Sequence, residues 1–164
     1  MWPARSSASS RVSRRRKRWR ITSGHGGPRT ARPEGGAGTK DVLVSSEILI
    51  DFLKGSQGAL SALEKAADEG VIRVSAVSAA QVASVAAGGR RAAALEMLDS
   101  FAIVGVDKEV ASLAGTFFHD SGAGKFELCD CLVAASCRQL GAVLLTRERS
   151  RYPARGLEVL LAEY

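Results

Sequence analysis

Short apolar runs alternate with segments of helical periodicity from residue 41 to the end of the chain. The apolar runs predict five strands, at 41–44, 71–75, 101–106, 142–145 and 157–161. Runs of this length are typical of strands buried on both faces of a parallel sheet. Between them, apolar positions recur about one helical turn apart, as Val110, Leu113 and Phe117 do. This alternation predicts an α/β fold in which right-handed crossovers place helices on both faces of the sheet.

Serine and glycine residues predict where several of the helices begin and end. Ser45 and Ser46 precede the first helix and Ser78 precedes the third, because serine side chains accept hydrogen bonds from the free amides of a first turn. Gly70 follows the second helix, where glycine commonly ends a helix in the left-handed conformation. The other predicted helices lie at 91–100, 108–118 and 127–140.

Composition and charge divide the chain into a basic extension, 1–40, and an acidic body, 41–164. The 164 residues suffice for one domain, and no apolar stretch is long enough to span a membrane. The extension has eleven Lys and Arg residues against one acid, whereas the body has twelve against sixteen. Arg, Ser, Gly and Pro dominate the extension without an apolar period, so it is predicted to be disordered.

Three interpretations of the basic extension stay open. Its cations could bind a phosphate backbone by releasing counterions. It could equally be a solvated extension without a specific role, or the product of a start codon assigned too far upstream. The arginine-rich run 14–18 does not predict an export signal, since no apolar segment follows it.

The carboxyl ends of the strands are where an open parallel sheet places its working site. The residues that follow the strands include 45–47, 78–81 and 146–148, and Asp130 lies in the first turn of helix 127–140. That helix is predicted to bury a stripe formed by Cys129, Leu132, Val133, Ser136, Cys137 and Leu140. The three cysteines have no histidine at zinc-ligand spacing and cannot pair evenly, which favours reduced thiols in the cytoplasm.

Two segments of the body, 130–137 (DCLVAASC) and 140–147 (LGAVLLTR), resemble the C-terminal signature of PIN-domain ribonucleases. The similarity is strongest to the VapC-type toxins of toxin–antitoxin pairs. Further segments resemble the rest of the family pattern in order, at 42–53, 75–82, 101–107 and 152–160. The resemblance implies a three-layer α/β/α, Rossmann-like fold with four to five parallel strands. It also implies RNA cleavage with Mg²⁺ or Mn²⁺ held by a cluster of acidic side chains.

The family's acidic positions are only partly acidic in this chain. Asp130 and Glu148 keep an acid and are the residues that the resemblance assigns to catalysis and metal binding. Ser45 and Gln81 stand where the family has two further acids. Neutral oxygens are weak Mg²⁺ ligands beside carboxylates, so we expect a weakened or absent metal site. Glu47 is a candidate compensating acid, although an exposed acid in a first helical turn is also common.

Four arginines follow the fourth predicted strand, at positions 147, 149, 151 and 155. Arg147, Arg149 and Arg151 are candidates for contacts with RNA phosphates, and a solvated loop is the alternative.

These features predict a VapC-like protein that is an Mg²⁺-dependent endoribonuclease toxin by resemblance, impaired by Ser45 and Gln81. The alternative is a catalytically inactive PIN protein that binds an antitoxin or RNA. A decaying gene product is the third hypothesis, and the odd extension fits it. The family further implies a homodimer and no membrane association.

Overall fold

The computed structural model describes residues 40–122, 124–153 and 156–164. Within these ranges the elements are β1 (Lys40–Val44), α1 (Ser46–Leu53), α2 (Gln57–Glu69), β2 (Gly70–Ser75), α3 (Ala76–Val85), α4 (Arg90–Asp99), β3 (Ala102–Val104), α5 (Lys108–Asp120), α6 (Leu128–Leu140), β4 (Val143–Thr146), a 3-10 helix (Arg149–Arg151) and β5 (Val159–Leu161). No helix in this part of the chain is long and apolar enough to cross a membrane. The predicted extension, apart from Lys40, and Arg155 lie outside the described residues.

The five strands form one parallel sheet in the order β3-β2-β1-β4-β5. Val44 at the end of β1 is opposite Val74 on one side and Leu145 on the other. The chain moves outward from β1 to β3 and then returns to place β4 against β1. The strand order therefore reverses between β1 and β4, where an open α/β sheet has its crevice.

Side chains of alternating strand positions divide the core into two layers. Val42 and Val44 pack in a cluster with apolar residues of α1 to α4. Leu43 and Leu144 pack in a second cluster with apolar residues of α5 and α6. Because successive strand residues point to opposite faces, the sheet is covered on both sides. The predicted three-layer α/β/α architecture is confirmed, with five strands.

One predicted helix start is wrong, and one correctly predicted C-cap, Gly70 after Glu69, has a different conformation from the expected one. Helix α3 begins at Ala76 rather than after Ser78, because Ser75 is its N-cap and accepts a hydrogen bond from the Ser78 amide at 2.9 Å. Gly70 is extended, with φ −174°, rather than left-handed. A Cβ at Gly70 would overlap the Lys40 carbonyl oxygen. Close approach of β1, rather than a positive φ, therefore requires this glycine.

Candidate active site at the carboxyl edge of the sheet

Four polar residues meet where β1 and β4 end. Glu47 lies in the first turn of α1, directly after β1, and Thr146 is the last residue of β4. Asp130 lies in the first turn of α6, and Arg151 ends the 3-10 helix that follows β4. The crossover between β1 and β4 therefore brings together residues that are far apart in the sequence.

Asp130 and Arg151 form a two-pronged ion pair. The Arg151 Nη2 donates to Asp130 Oδ1 at 2.9 Å, and Nε donates to Oδ2 at 3.3 Å. The Asp130 side chain is 5% exposed and that of Arg151 is 34% exposed. Burial raises the pKa of Asp130, and the Arg151 guanidinium opposes that rise. Burial acts to lower the pKa of Arg151, but Asp130 reverses the direction and leaves it raised. The guanidinium is thus the main counter-charge of a buried carboxylate.

Glu47 shares the same guanidinium. Its Oε2 lies 3.9 Å from Arg151 Nη1, while its Oε1 accepts a hydrogen bond from the Thr146 hydroxyl. Thr146 is fully buried, and its Oγ1 also accepts a hydrogen bond from the Glu148 amide at 3.0 Å. Glu47 Oε2 is buried and has no hydrogen-bond partner within the described ranges. The structure therefore places Glu47 with Asp130 rather than in open solvent.

The two positions at which the resemblance expects further acids carry neutral side chains. Ser45 is fully buried at the N-cap of α1, and its amide donates to the Leu145 carbonyl at 3.0 Å. Its hydroxyl has no hydrogen-bond partner among the described residues. Gln81 lies half-buried in α3. Neither residue supplies a carboxylate, and the acids that pair with Arg151 are Glu47 and Asp130.

The structure places the other predicted site residues outside the contact between Asp130 and Arg151. Glu148 is exposed, and its carboxylate lies 3.4 Å from the Ser150 hydroxyl. Arg147 pairs with Asp51 at 3.2 Å. Arg149 donates to the Tyr152 carbonyl at 3.0 Å. The roles of Glu148 in metal binding and of the arginines in RNA binding stay predictions.

The helix that carries Asp130 buries Val133, Ser136 and Cys137 of the predicted stripe, within a wider face than the stripe. Cys129 is exposed, whereas Asp130 and Cys131 are buried together with 133–137. The reason is that α6 packs against α5 as well as against the sheet, so its buried face is wider than one stripe. Burial raises the pKa of Cys131, and the neighbouring Asp130 carboxylate adds to that rise.

Tyr152 is a site residue that sequence reasoning did not single out. It is almost fully buried, and that burial raises the pKa of its phenol, with further contributions from Glu47 and Asp130. The chain has only two tyrosines, and this one follows the 3-10 helix directly. Its position in the sequence, shortly after the fourth predicted strand, could have indicated that Tyr152 lies near the site.

The residues present do not fit a divalent metal ion in this arrangement. Across residues 40–122, 124–153 and 156–164, no group of three or more His, Cys, Asp and Glu residues is placed to hold one. The two buried carboxylates are instead turned to Arg151. A divalent ion between them would meet the positive charge of the guanidinium, which repels it strongly in a site shielded from water.

A doubly wound parallel sheet with buried carboxylates at its switch point defines the class of this protein, an α/β domain with a charged crevice. The PIN domain model matches residues 42–152, and the chain belongs to the PIN domain family. The family resemblance of the sequence is thereby confirmed. No curated protein matches the chain significantly by sequence.

Solved structures with the same fold include toxins in complex with their antitoxins. A toxin–antitoxin complex from Klebsiella pneumoniae matches over 74% of this chain and 98% of that chain, with 20% identity and a TM-score of 0.62. VapBC2 from Rickettsia felis, bound to a DNA fragment from its promoter, matches over 75% and 99%, with 17% identity and a TM-score of 0.61. FitAcB from Neisseria gonorrhoeae matches over 73% and 96%, with 18% identity and a TM-score of 0.57. At these identities the similarity shows a shared fold.

Proposed function

We propose that this protein is a VapC-like toxin-type PIN protein that binds an antitoxin and whose metal-dependent RNA cleavage is impaired or lost. The observation that carries the proposal is the Asp130–Arg151 pair, because the chain's own guanidinium occupies the carboxylate on which the family site depends. The neutral residues Ser45 and Gln81 support it. Losing an electrostatic stabiliser of a reaction commonly slows it by about 10²–10³.

The partner in this proposal is an antitoxin that covers the carboxyl edge of the sheet. The structural neighbours that carry the same fold were solved as toxin–antitoxin complexes, and they match over almost their full length. A binding role of this kind needs the fold and its crevice, both of which the chain keeps, but needs no metal. RNA and a second copy of the chain are the further predicted partners, in the cytoplasm.

RNA cleavage with Mg²⁺ or Mn²⁺ tests the catalytic half of the proposal. We expect the wild-type chain to cleave a mixed RNA pool more slowly than the variant that combines Arg151→Gln with Ser45→Asp and Gln81→Glu, by at least about 10²-fold. The exposed substitution Asp99→Asn, at the end of α4, is the control for a lost carboxylate outside the site. Rapid wild-type cleavage that Asp130→Asn abolishes and Asp99→Asn leaves unchanged would show a working nuclease instead.

Coexpression with the product of an adjacent small gene tests the partner half. The proposal predicts a complex that survives size-exclusion chromatography and that suppresses any growth arrest caused by the chain alone. A genome in which no such neighbouring gene exists, or whose product does not bind the purified chain, would contradict the assignment to a toxin–antitoxin pair. A mobility shift of RNA by the chain alone would then favour the RNA-binding alternative.

A further inference from the structure

The 3-10 helix fixes Arg151 over the two buried carboxylates. The Arg151 amide donates to the Glu148 carbonyl at 3.3 Å, and the Glu148 amide in turn donates to Thr146 Oγ1 at 3.0 Å. Beyond it the chain continues into Tyr152, which is buried. The backbone that carries Arg151 is thus attached to the end of β4 on one side and to the core on the other. The fold therefore fixes the backbone of Arg151 at this edge, and the contacts with Asp130 and Glu47 orient its guanidinium.

The crevice has more oxygen atoms than the guanidinium satisfies. Glu47 Oε2 and Ser45 Oγ are both buried without a hydrogen-bond partner in the described part of the chain, and Ser45 is fully buried. Glu47 Oε2 is 3.9 Å from Arg151 Nη1, which is an ion pair but too long for a hydrogen bond. Buried polar atoms normally have a partner, so these two oxygens indicate an environment that suits a cation with several oxygen ligands.

We propose that Arg151 is the resident cation of this crevice and covers a latent divalent-cation site formed by Glu47 and Asp130. With the guanidinium in place, one of the two negative charges is balanced and a metal ion is excluded. Without it, Glu47 and Asp130 have no cationic partner from Arg151, and we expect them to bind a divalent ion in its place. Two carboxylates, with waters completing the coordination, are an ordinary ligand set for Mg²⁺ or Mn²⁺.

Binding of Mn²⁺ to the full chain tests this role. Titration calorimetry and thermal unfolding with Mn²⁺ or EDTA would be measured for the wild type, Arg151→Gln and Arg151→Gln with Asp130→Asn. We expect no effect on the wild type, and at least tenfold tighter Mn²⁺ binding with a raised Tm for Arg151→Gln. The double variant should lose both effects. Arg138→Gln is the matched control. Arg138 lies in the last turn of α6, at the opposite end of the helix from Asp130, and its guanidinium lies over the Phe117 ring of α5.

Three results would overturn the proposal. Mn²⁺ binding by the wild type that depends on Asp130 would show that Arg151 does not exclude metal. A folded Arg151→Gln variant that binds Mn²⁺ no better than the wild type would show that no latent site exists. If Arg151→Gln folds only poorly, Mn²⁺ should restore its cooperative unfolding, and failure to do so also overturns the proposal. These measurements need no antitoxin and no RNA, so their failure leaves the proposed partner binding standing.

Discussion

Two arginines of one short segment each pair with a carboxylate, in very different surroundings. Arg151 Nη2 lies 2.9 Å from Asp130, whose side chain is 5% exposed. Arg147 Nε lies 3.2 Å from Asp51, whose side chain is 19% exposed. Asp51 has a second partner in the Tyr164 hydroxyl, at 3.3 Å, and Arg147 also lies over the Tyr164 ring at 5.3 Å.

The difference between the pairs lies in how much each carboxylate depends on its arginine. Asp51 is reached by solvent and by Tyr164, so its charge stays compensated if Arg147 is lost. Asp130 is buried, and its hydrogen bonds from other side chains come from Arg151 in the described part of the chain. Bond length alone therefore does not rank the two pairs. The burial of the carboxylate does, because an uncompensated charge is costly only where water cannot reach it.

Removing the guanidinium of the buried pair should have the largest effect. Arg151→Gln leaves Asp130 and Glu47 buried without a full counter-charge, and breaking a buried pair in this way costs about 3–5 kcal/mol. Because the Arg151 side chain is 34% exposed, we expect a smaller loss of about 2–4 kcal/mol. Urea unfolding in the presence of EDTA measures it. A loss below that of an ordinary surface substitution would show that water already compensates Asp130.

A double-mutant cycle sharpens the same comparison. Asp130→Asn removes the buried charge that Arg151 neutralises, so Arg151→Gln should destabilise the Asp130→Asn protein less than the wild type. We expect a coupling free energy of about 1–3 kcal/mol, as for other residues in direct contact. The free energies of unfolding of all four proteins give the value. Additive effects would mean that the pair seen at 2.9 Å contributes nothing to stability.

The outer pair should matter least among the arginine substitutions. Arg147→Gln should lower the free energy of unfolding by about 0–1 kcal/mol, since exposed pairs are weak and Asp51 keeps Tyr164. The same urea measurement applies, with Arg151→Gln as the reference for a strong effect. An equal loss from both substitutions would remove the distinction between the buried and the exposed pair.

Much of the fold was predictable because the apolar runs, the helical periodicity and the capping residues all indicate the same structure. The strands of a parallel sheet are buried on both faces, so the runs at 41–44 and 142–145 stand out as uninterrupted apolar segments. The start of α3 was predicted wrongly because Ser75 and Ser78 are both suitable N-cap residues, and the structure uses Ser75. The predicted third strand, 101–106, is shorter in the structure, at Ala102–Val104.

The site was less predictable, for a physical reason. The position of Asp130 in the first turn of a core helix indicated a crevice residue, and Glu47 was a candidate from its distance to β1. The partner of both is Arg151. It lies in a short segment whose apolar and polar residues show neither helical nor strand periodicity. The direction of the Arg151 side chain is decided by the 3-10 turn and by the carboxylates it meets, neither of which a sequence pattern encodes. The four arginines after the fourth strand therefore looked equivalent.

The smallest effect that we predict is a pH dependence confined to the buried pair. The pKa of Asp130 is raised above its usual 3.8 in the folded protein, mainly by burial. A raised folded pKa means that the contribution of Asp130 to stability is full below 3.8 and is lost as the pH rises through the folded pKa. Asparagine does not titrate, so the stability of Asp130→Asn relative to the wild type should increase from acidic to neutral pH.

The free energies of unfolding of the wild type and Asp130→Asn are measured from acidic to neutral pH. In their difference, the contributions of groups that titrate in both proteins cancel. If the stability of Asp130→Asn relative to the wild type fell with rising pH, the pKa of Asp130 would be shifted in the opposite direction. That shift would mean that the Arg151 guanidinium outweighs burial at Asp130, and that the crevice holds its carboxylate in the charged form at a net gain.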